Sequence, residues 1–363
     1  MGDIQAHVSS VYRRQRLLCI EMSSRAKQWA DLAQTFKKTY QFPQGANHNW
    51  FPGHMARGLR QMQYEIRKMD VIVEVHDARI PFTGRNENFR RTLTGRLPHM
   101  LVLNKSDLVP GQDFDEITEE LKARHPHLND VVYTNCRQAG NCPGVKSIIP
   151  KCADYIRNSD RYHRSEKPDA NVLVIGIPNV GKSSIINALR QLNLKLKGKA
   201  TAVGNTPGLT QAVLTKIRVF NDPLIYLVDT PGISSPNVTD MHMGMKLAVC
   251  ATLKDHQVGP IFIVDYLLWY MNRHQLFGYV KEMKLNSPME NTKHLLYDVA
   301  IREGMVLNQK DLTTGQLKPF PQLEEAATLF LRRFREGRFG KFSLDLDHYG
   351  QIQKPLNIND LNL

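Results

Sequence analysis

One octapeptide, GIPNVGKS at Gly176–Ser183, constrains the fold of this chain more than any other stretch. It follows the apolar run NVLVI and leads into KSSIINALRQ (182–191), whose apolar residues recur at helical spacing. A G-x-x-x-x-G-K-[ST] sequence between a strand and a helix wraps backbone N–H groups around phosphate, and the helix N-terminus adds partial positive charge. Asn179, Val180, Gly181, Lys182, Ser183 and Ser184 are therefore candidate phosphate-binding residues. Lys182 would neutralise the β and γ charge, and Ser183 is the expected Mg²⁺ ligand. Asn179 has two open readings, a ligand for K⁺ beside the phosphates or a brace within the loop.

Three further motifs end apolar runs. NKSD (Asn104, Lys105, Ser106, Asp107) closes HMLVL, and the carboxylate of Asp107 can accept from N1–H and the exocyclic amine of guanine, groups that adenine does not offer. Asn104 and Lys105 would brace that loop. Thr134, Asn135 and Cys136 end the next run, where a backbone N–H to guanine O6 is expected. DTPG (Asp229–Gly232) supplies Asp229 as a second Mg²⁺-side carboxylate, while Gly232 offers an N–H to the γ-phosphate and a hinge. Between them GNTPGLT holds Thr206 and Thr210, either of which could complete the Mg²⁺ shell or cap a turn. Ile233 stands after DTPG, where Ras-like enzymes place a water-orienting glutamine, so intrinsic hydrolysis is expected to be slow and partner-stimulated. The order is inverted: the guanine-reading motif precedes the phosphate loop.

Strands are expected at 71–78, 99–107, 131–136, 171–179 and 223–232, with 216–220 as an antiparallel edge. Near-continuous apolar strands alternating with helical patterns (145–158, 182–191) indicate a buried, mostly parallel sheet, with ligands beyond the strands' carboxyl ends. The pattern HMARGLRQMQYEIRKM reads as an amphipathic helix. From about Asp240 the segments read as helices without intervening strands. The expected organisation is a basic extension (1–45), an α/β GTPase domain (46–238), a smaller all-α domain (239–345) and a loosely held tail (346–363).

Lys and Arg number 48 against 35 Asp and Glu, a net charge of +13 that favours a polyanionic partner such as RNA. Residues 1–45 are Arg-rich and poor in acid, which fits a mitochondrial transit segment or a basic arm. The five cysteines show no C-x-x-C pair, so they read as reduced thiols and not a metal site. The apolar stretch from Ile261 is short and broken by Asp265, a buried element and not a membrane span.

The order NKxD, G-x-P-N-V-G-K-S, P-G-x-T, D-T-P-G resembles the circularly permuted GTPases of ribosome assembly. NWFPGHM (Asn49–Met55) and HDARIP (His76–Pro81) narrow the resemblance to the branch acting on the large subunit, and the basic N-terminus makes the chain similar to its mitochondrial members. The resemblance spans roughly residues 48–345. It implies a permuted Ras-like phosphate-loop domain followed by a helical ribosome-contacting domain. It also implies GTP and GDP with Mg²⁺ as ligands, and GTP hydrolysis coupled to late maturation of the mitochondrial large subunit, docked on rRNA. The protein would be a monomer in the matrix, without a transmembrane segment, peripherally associated with the inner membrane. The resemblance favours Thr210 as the switch threonine and makes His54 a candidate for water activation, although His54 could equally cap its helix. The switch strand would lead directly into the helical domain and its basic cluster (Arg332, Arg333, Arg335, Arg338, Lys341). A GTP-dependent RNA-binding module with incidental hydrolysis is the alternative.

Overall fold

The structure is a computed structural model that describes residues 25–43, 66–85, 97–161, 164–195, 215–229, 238, 240–310 and 317–348. The chain divides into two compact units, one holding residues 44–259 and 341–350, the other 1–43, 260–340 and 351–363.

The sheet unit contains β1 (Val71–Asp77), β2 (His99–Asn104), α1 (Phe114–Arg124), β3 (Asp130–Thr134), α2 (Pro143–Arg157), β4 (Asp169–Ile175), α3 (Lys182–Leu194), β5 (Thr215–Asn221), β6 (Leu224–Asp229), α4 (Met241–Val249) and α5 (Asp255–Val258). Six strands lie in the order β3-β2-β1-β4-β6-β5. All neighbours pair in parallel except β5, which runs antiparallel to β6, as expected for the edge strand. Every residue of β1 and β2 is buried, the pattern of a parallel sheet covered on both faces. One core joins Leu101 and Leu103 of β2 to Ile117 and Leu121 of α1; another joins Ile72, Leu173, Ile175 and Val228 across three strands. Each buried leucine or isoleucine in such a core contributes roughly 2–5 kcal/mol against truncation to alanine.

This topology explains the inverted motif order. The phosphate-loop strand β4 sits between β1 and β6, and the strand carrying NKSD is one place beyond β1. Starting at β4 and moving β1–β3 to the end restores phosphate loop, metal-side carboxylate and guanine reader in sequence, with no strand displaced. The permutation alters where the chain begins, not where the residues stand.

The helical unit contains a helix over 25–34, α6 (Pro260–Arg273), α7 (Gly278–Glu282), α8 (Thr292–Arg302), a hairpin of β7 (Val306–Lys310) and β8 (Leu317–Pro321), and α9 (Leu323–Arg335). The stretch from Ile261 is the buried helix α6, whose Asp265 accepts hydrogen bonds from the Tyr40 hydroxyl (2.8 Å) and Thr292 Oγ1 (2.5 Å). Among the described residues no helix is long and apolar enough to cross a membrane.

Four expectations are corrected. The region after Asp240 is not all-helical, since β7 and β8 form an antiparallel pair. The compact units do not part at 238/239, because α4 and α5 belong with the sheet. Residues 25–43 are not a separate extension: Tyr40 meets Asp265 and Tyr266, and Trp29 stands edge-on to Phe277 at 6.2 Å. The segment before the expected tail returns to the sheet unit, where Phe342, Ser343, Leu344 and Asp345 are buried and pair with the loops after β1 and β2. Of the basic cluster, Arg333 and Arg338 both approach Glu282, at 3.3 and 3.6 Å, and Lys341 lies in the sheet unit. Most of the amphipathic helix expected from His54 lies outside the described residues, as do tail residues 349–363.

Candidate nucleotide site

The strands β1, β2, β3, β4 and β6 deliver their carboxyl ends to one edge of the sheet, which brings the loops after β1, β2, β3 and β4 and the last residue of β6, Asp229, to that edge. The phosphate loop leaves β4 at Gly176, whose φ of +152° and proximity to Val75 exclude a side chain; a Cβ would stand 2.2 Å from the Val75 carbonyl oxygen. The loop closes at Gly181 (φ +100°), where a Cβ would fall 2.2 Å from Asn104 Nδ2. Glycine is required at both places by backbone region and by space.

Lys182 opens α3 and is buried. Its ammonium donates to the carbonyls of Gly176 (2.8 Å) and Ile177 (3.0 Å), curled back over its own loop. Burial lowers its pKa to about 8, and the nearby Asp229 carboxylate opposes that shift. Asp229, the last residue of β6, is 1% exposed, and neither carboxylate oxygen has a hydrogen-bond partner among the described residues. Burial raises its pKa and Lys182 pulls it back. A buried carboxylate with both oxygens unsatisfied beside the phosphate loop is costly unless a cation completes it. That donor, with the Ser183 hydroxyl position on the first turn of α3, fits a hard oxygen-seeking divalent ion such as Mg²⁺.

The guanine-reading loop is tied to the phosphate loop by side chains. Asn104, at the end of β2, donates from Nδ2 to the Val180 carbonyl (2.8 Å) and accepts from Thr134 Oγ1 (3.1 Å). Lys105 takes a left-handed backbone conformation (φ 60°) and donates from Nζ to the Asn179 carbonyl and to Asp77 Oδ2, both at 2.8 Å. Asp107 sits in a short 3₁₀ turn with its carboxylate partly open to solvent and 3.7 Å from the Arg137 guanidinium. Thr134 is fully buried, Asn135 Oδ1 accepts from the Arg137 backbone N–H (2.9 Å), and burial pushes the Cys136 thiol up to about 12. That thiol is a neutral wall element at physiological pH. Asn179 donates from Nδ2 to the Ala251 carbonyl after α4 at 2.6 Å, so its amide nitrogen acts as a loop brace. Val180 is buried beneath the loop, and Ser183 and Ser184 are partly exposed on α3.

The structure thus gathers Asn104, Lys105, Asp107, Thr134, Asn135, Cys136, Asn179, Val180, Gly181, Lys182, Ser183, Ser184 and Asp229 at one edge of the sheet. His54, Thr206, Thr210, Gly232 and Ile233 lie outside the described residues. Among the described residues no cluster of three His, Cys, Asp or Glu side chains could hold a metal. Sequence reasoning gave no role to Asp77 and Arg79, although their position at the end of β1 placed them near the site. It missed the segment 342–345, whose only local signal is the alternation of Phe342, Leu344 and Leu346.

The chain is similar to known proteins. Residues 171–297 match the model of the family described as 50S ribosome-binding GTPase. A mitochondrial ribosome-associated GTPase 1 of Ictalurus punctatus is 45% identical over 85% of this chain and 96% of its own length. Its counterpart in Mus musculus is 46% identical over 82% and 90%. A solved structure described as GDP-bound TM YlqF overlays 78% of this chain and 98% of its own at 22% identity, with a TM-score of 0.47, too low to carry an argument. A phosphate loop wired to an NKSD loop in inverted order, and relatives near half-identical over most of both lengths, lead to one conclusion. The chain belongs to the mitochondrial ribosome-associated GTPase 1 family and is a GTPase on a circularly permuted phosphate-loop fold.

Proposed function

We propose that this protein is a GTP-hydrolysing assembly factor of the mitochondrial large ribosomal subunit, working in the matrix or on the matrix side of the inner membrane as a monomer docked on rRNA. The observation that carries the nucleotide half of this reading is the double tie between loops: Asn104 to Val180 and Lys105 to Asn179. Base recognition by Asp107 and phosphate recognition by Gly181–Ser184 are then one rigid unit. Lys182 would swing its ammonium from the Gly176 and Ile177 carbonyls to phosphate oxygens, a better partner for a charged donor. Ser183 and Asp229 would hold Mg²⁺, with Thr210 joining them in the triphosphate state; the ion would neutralise developing phosphate charge. Gly232 would sense the γ-phosphate, and His54 or a K⁺ ion near Asn179 would assist hydrolysis.

The ribosomal half is supported by the relatives' names and by a net charge of +13. A transit segment would have to be removed before residue 25, because residues 25–43 pack into the helical unit. Switch movement after Asp229 would pass into α4, which is held against the return segment by Lys246 and Asp345 at 3.3 Å. Ile233 keeps a second reading, a GTP-dependent RNA-binding module whose hydrolysis is incidental. Gradient sedimentation with mitochondrial subunits separates the cases when paired with single-turnover hydrolysis. Co-migration with the large subunit under a non-hydrolysable GTP analogue, release under GDP and faster hydrolysis on the particle are expected. Equal binding in both nucleotide states would refute a switch, since no differential affinity means no population shift.

A further inference from the structure

We propose that Asp77 is a positioning residue for nucleotide binding: held by Arg79, its carboxylate fixes the Lys105 ammonium that joins the base-reading loop to the phosphate loop. The inference rests on reading NKSD as the guanine loop. Asp77 ends β1 directly opposite Asn104 in the parallel register with β2, and it is 1% exposed. Its carboxylate accepts four hydrogen bonds. Oδ1 takes the Arg79 backbone N–H and Nε, both at 3.0 Å, and Oδ2 takes Arg79 Nη2 and Lys105 Nζ, both at 2.8 Å. Burial would push this carboxyl up, but Arg79 and then Lys105 overcome it and hold it well below the usual carboxylate range. The carboxylate is ionised whenever the protein is folded at neutral pH.

Lys105 needs such an anchor. A lysine ammonium is a compact charge on a flexible four-carbon stem, and one carbonyl acceptor leaves most of that freedom in place. Here it stands 2.8 Å from a full carboxylate on one side and 2.8 Å from the Asn179 carbonyl on the other. Lys105 (φ 60°) and Asn179 (φ 61°) are both non-glycine residues in the left-handed region, so each loop is held in a conformation that a relaxed chain would leave. The Asp77–Lys105–Asn179 chain spans the two. Arg79 is itself fixed from behind, because its carbonyl accepts from the Leu344 N–H (2.7 Å) and Ser343 Oγ (3.0 Å) of the returning segment. The pair is therefore a pedestal with one face built into the fold and the other turned to the nucleotide loops.

GDP binding by the full-length chain, measured by calorimetry together with dissociation of a fluorescent GDP analogue, tests this. D77N/R79Q removes both fully buried charges together, so Arg79 is not left as a lone buried cation, and only the partly exposed Lys105 loses its carboxylate. Its GDP affinity is expected to fall about tenfold, chiefly through faster dissociation, because one tenfold step is the scale of a single charge-assisted contact. The decisive readout is coupling: K105M should cost at least threefold less affinity in the D77N/R79Q background than in the wild type, since Lys105 has already lost its anchor there. A merely structural pair would leave affinity within twofold of wild type, or make the two losses multiply independently; either result overturns the proposal. If D77N/R79Q does not fold, D77E keeps the charge but shifts the carboxylate, and tenfold loss or unchanged affinity decides in the same way. Wild-type GDP binding serves as the reference: if the wild type bound ADP as tightly as GDP, the reading of the NKSD loop would fail and not the pedestal.

Discussion

Replacing Gly181 by alanine probes the wiring between the two nucleotide loops at its tightest point. Two costs can be counted. At φ +100° an alanine is strained by roughly 1–2 kcal/mol. Its Cβ would also stand 2.2 Å from Asn104 Nδ2, so that amide must retreat and break its 2.8 Å bond to the Val180 carbonyl. Leaving that buried carbonyl unsatisfied costs about 1–3 kcal/mol. Parting of the two loops relieves the empty protein of most of this sum, about 2–5 kcal/mol, whereas nucleotide held by both loops requires it to be restored. At about 1.4 kcal/mol per tenfold step, GDP affinity of G181A should drop at least about 30-fold, while urea unfolding of the empty protein changes little. N104A relieves the clash, so adding G181A in that background should cost only the backbone strain. G140A is the control, because a Cβ there meets nothing within 4 Å and should leave binding within twofold. GDP affinity for G181A within threefold of wild type would refute the argument.

Further predictions follow from other buried groups. D229N removes a buried carboxylate whose oxygens lack partners among the described residues, so the empty protein should melt higher by a few degrees while the Mg²⁺-dependent part of GTP affinity is lost; differential scanning with and without chelator reads both. D345A removes the acceptor of hydrogen bonds from Phe82 N, Thr83 N and Thr83 Oγ1 and takes a carboxylate away from the buried Lys246, and should cost about 3–5 kcal/mol in chemical unfolding. Glu74 is buried, which pushes its carboxyl up, but Arg85 and His99 hold it well below the ordinary value. A depressed folded pKa means that its stabilisation is complete above the ordinary carboxyl value and fades as pH falls below it. Unfolding free energy should therefore decline from about pH 4.5 downward, and E74Q/R85Q should decline less over that range.

How much of this was legible depends on whether the signal is local. Strand runs such as HMLVL and NVLVI announce themselves because buried parallel strands are near-continuously apolar, and GIPNVGKS carries its glycines in its own letters. The partners of the returning 342–345 segment, Arg79 and Thr83, lie about 262 residues away; the alternation of Phe342, Leu344 and Leu346 in KFSLDL suggests a half-buried extended run but says nothing of what it pairs with. The placement of α4 and α5 with the sheet was equally hidden: an apolar helical stripe states that it is buried, not which layer buries it. The hairpin β7–β8 was lost because the proline pair in LKPFP argues against a strand unless the strand is an edge, which it is here. Asp77 was visible as a charged residue at a strand end, but its role exists only through Arg79 and Lys105.

Substituting Asp107 by asparagine most directly tests whether this edge of the sheet reads guanine. Asparagine presents an amide where the wild type presents a carboxylate that accepts two guanine donors, so D107N should lose GDP affinity by at least a hundredfold. It should gain relative affinity for xanthosine diphosphate, whose 2-oxo group can accept from the new N–H. GDP affinity within threefold of wild type, with no shift toward xanthine, would contradict the assignment of the site.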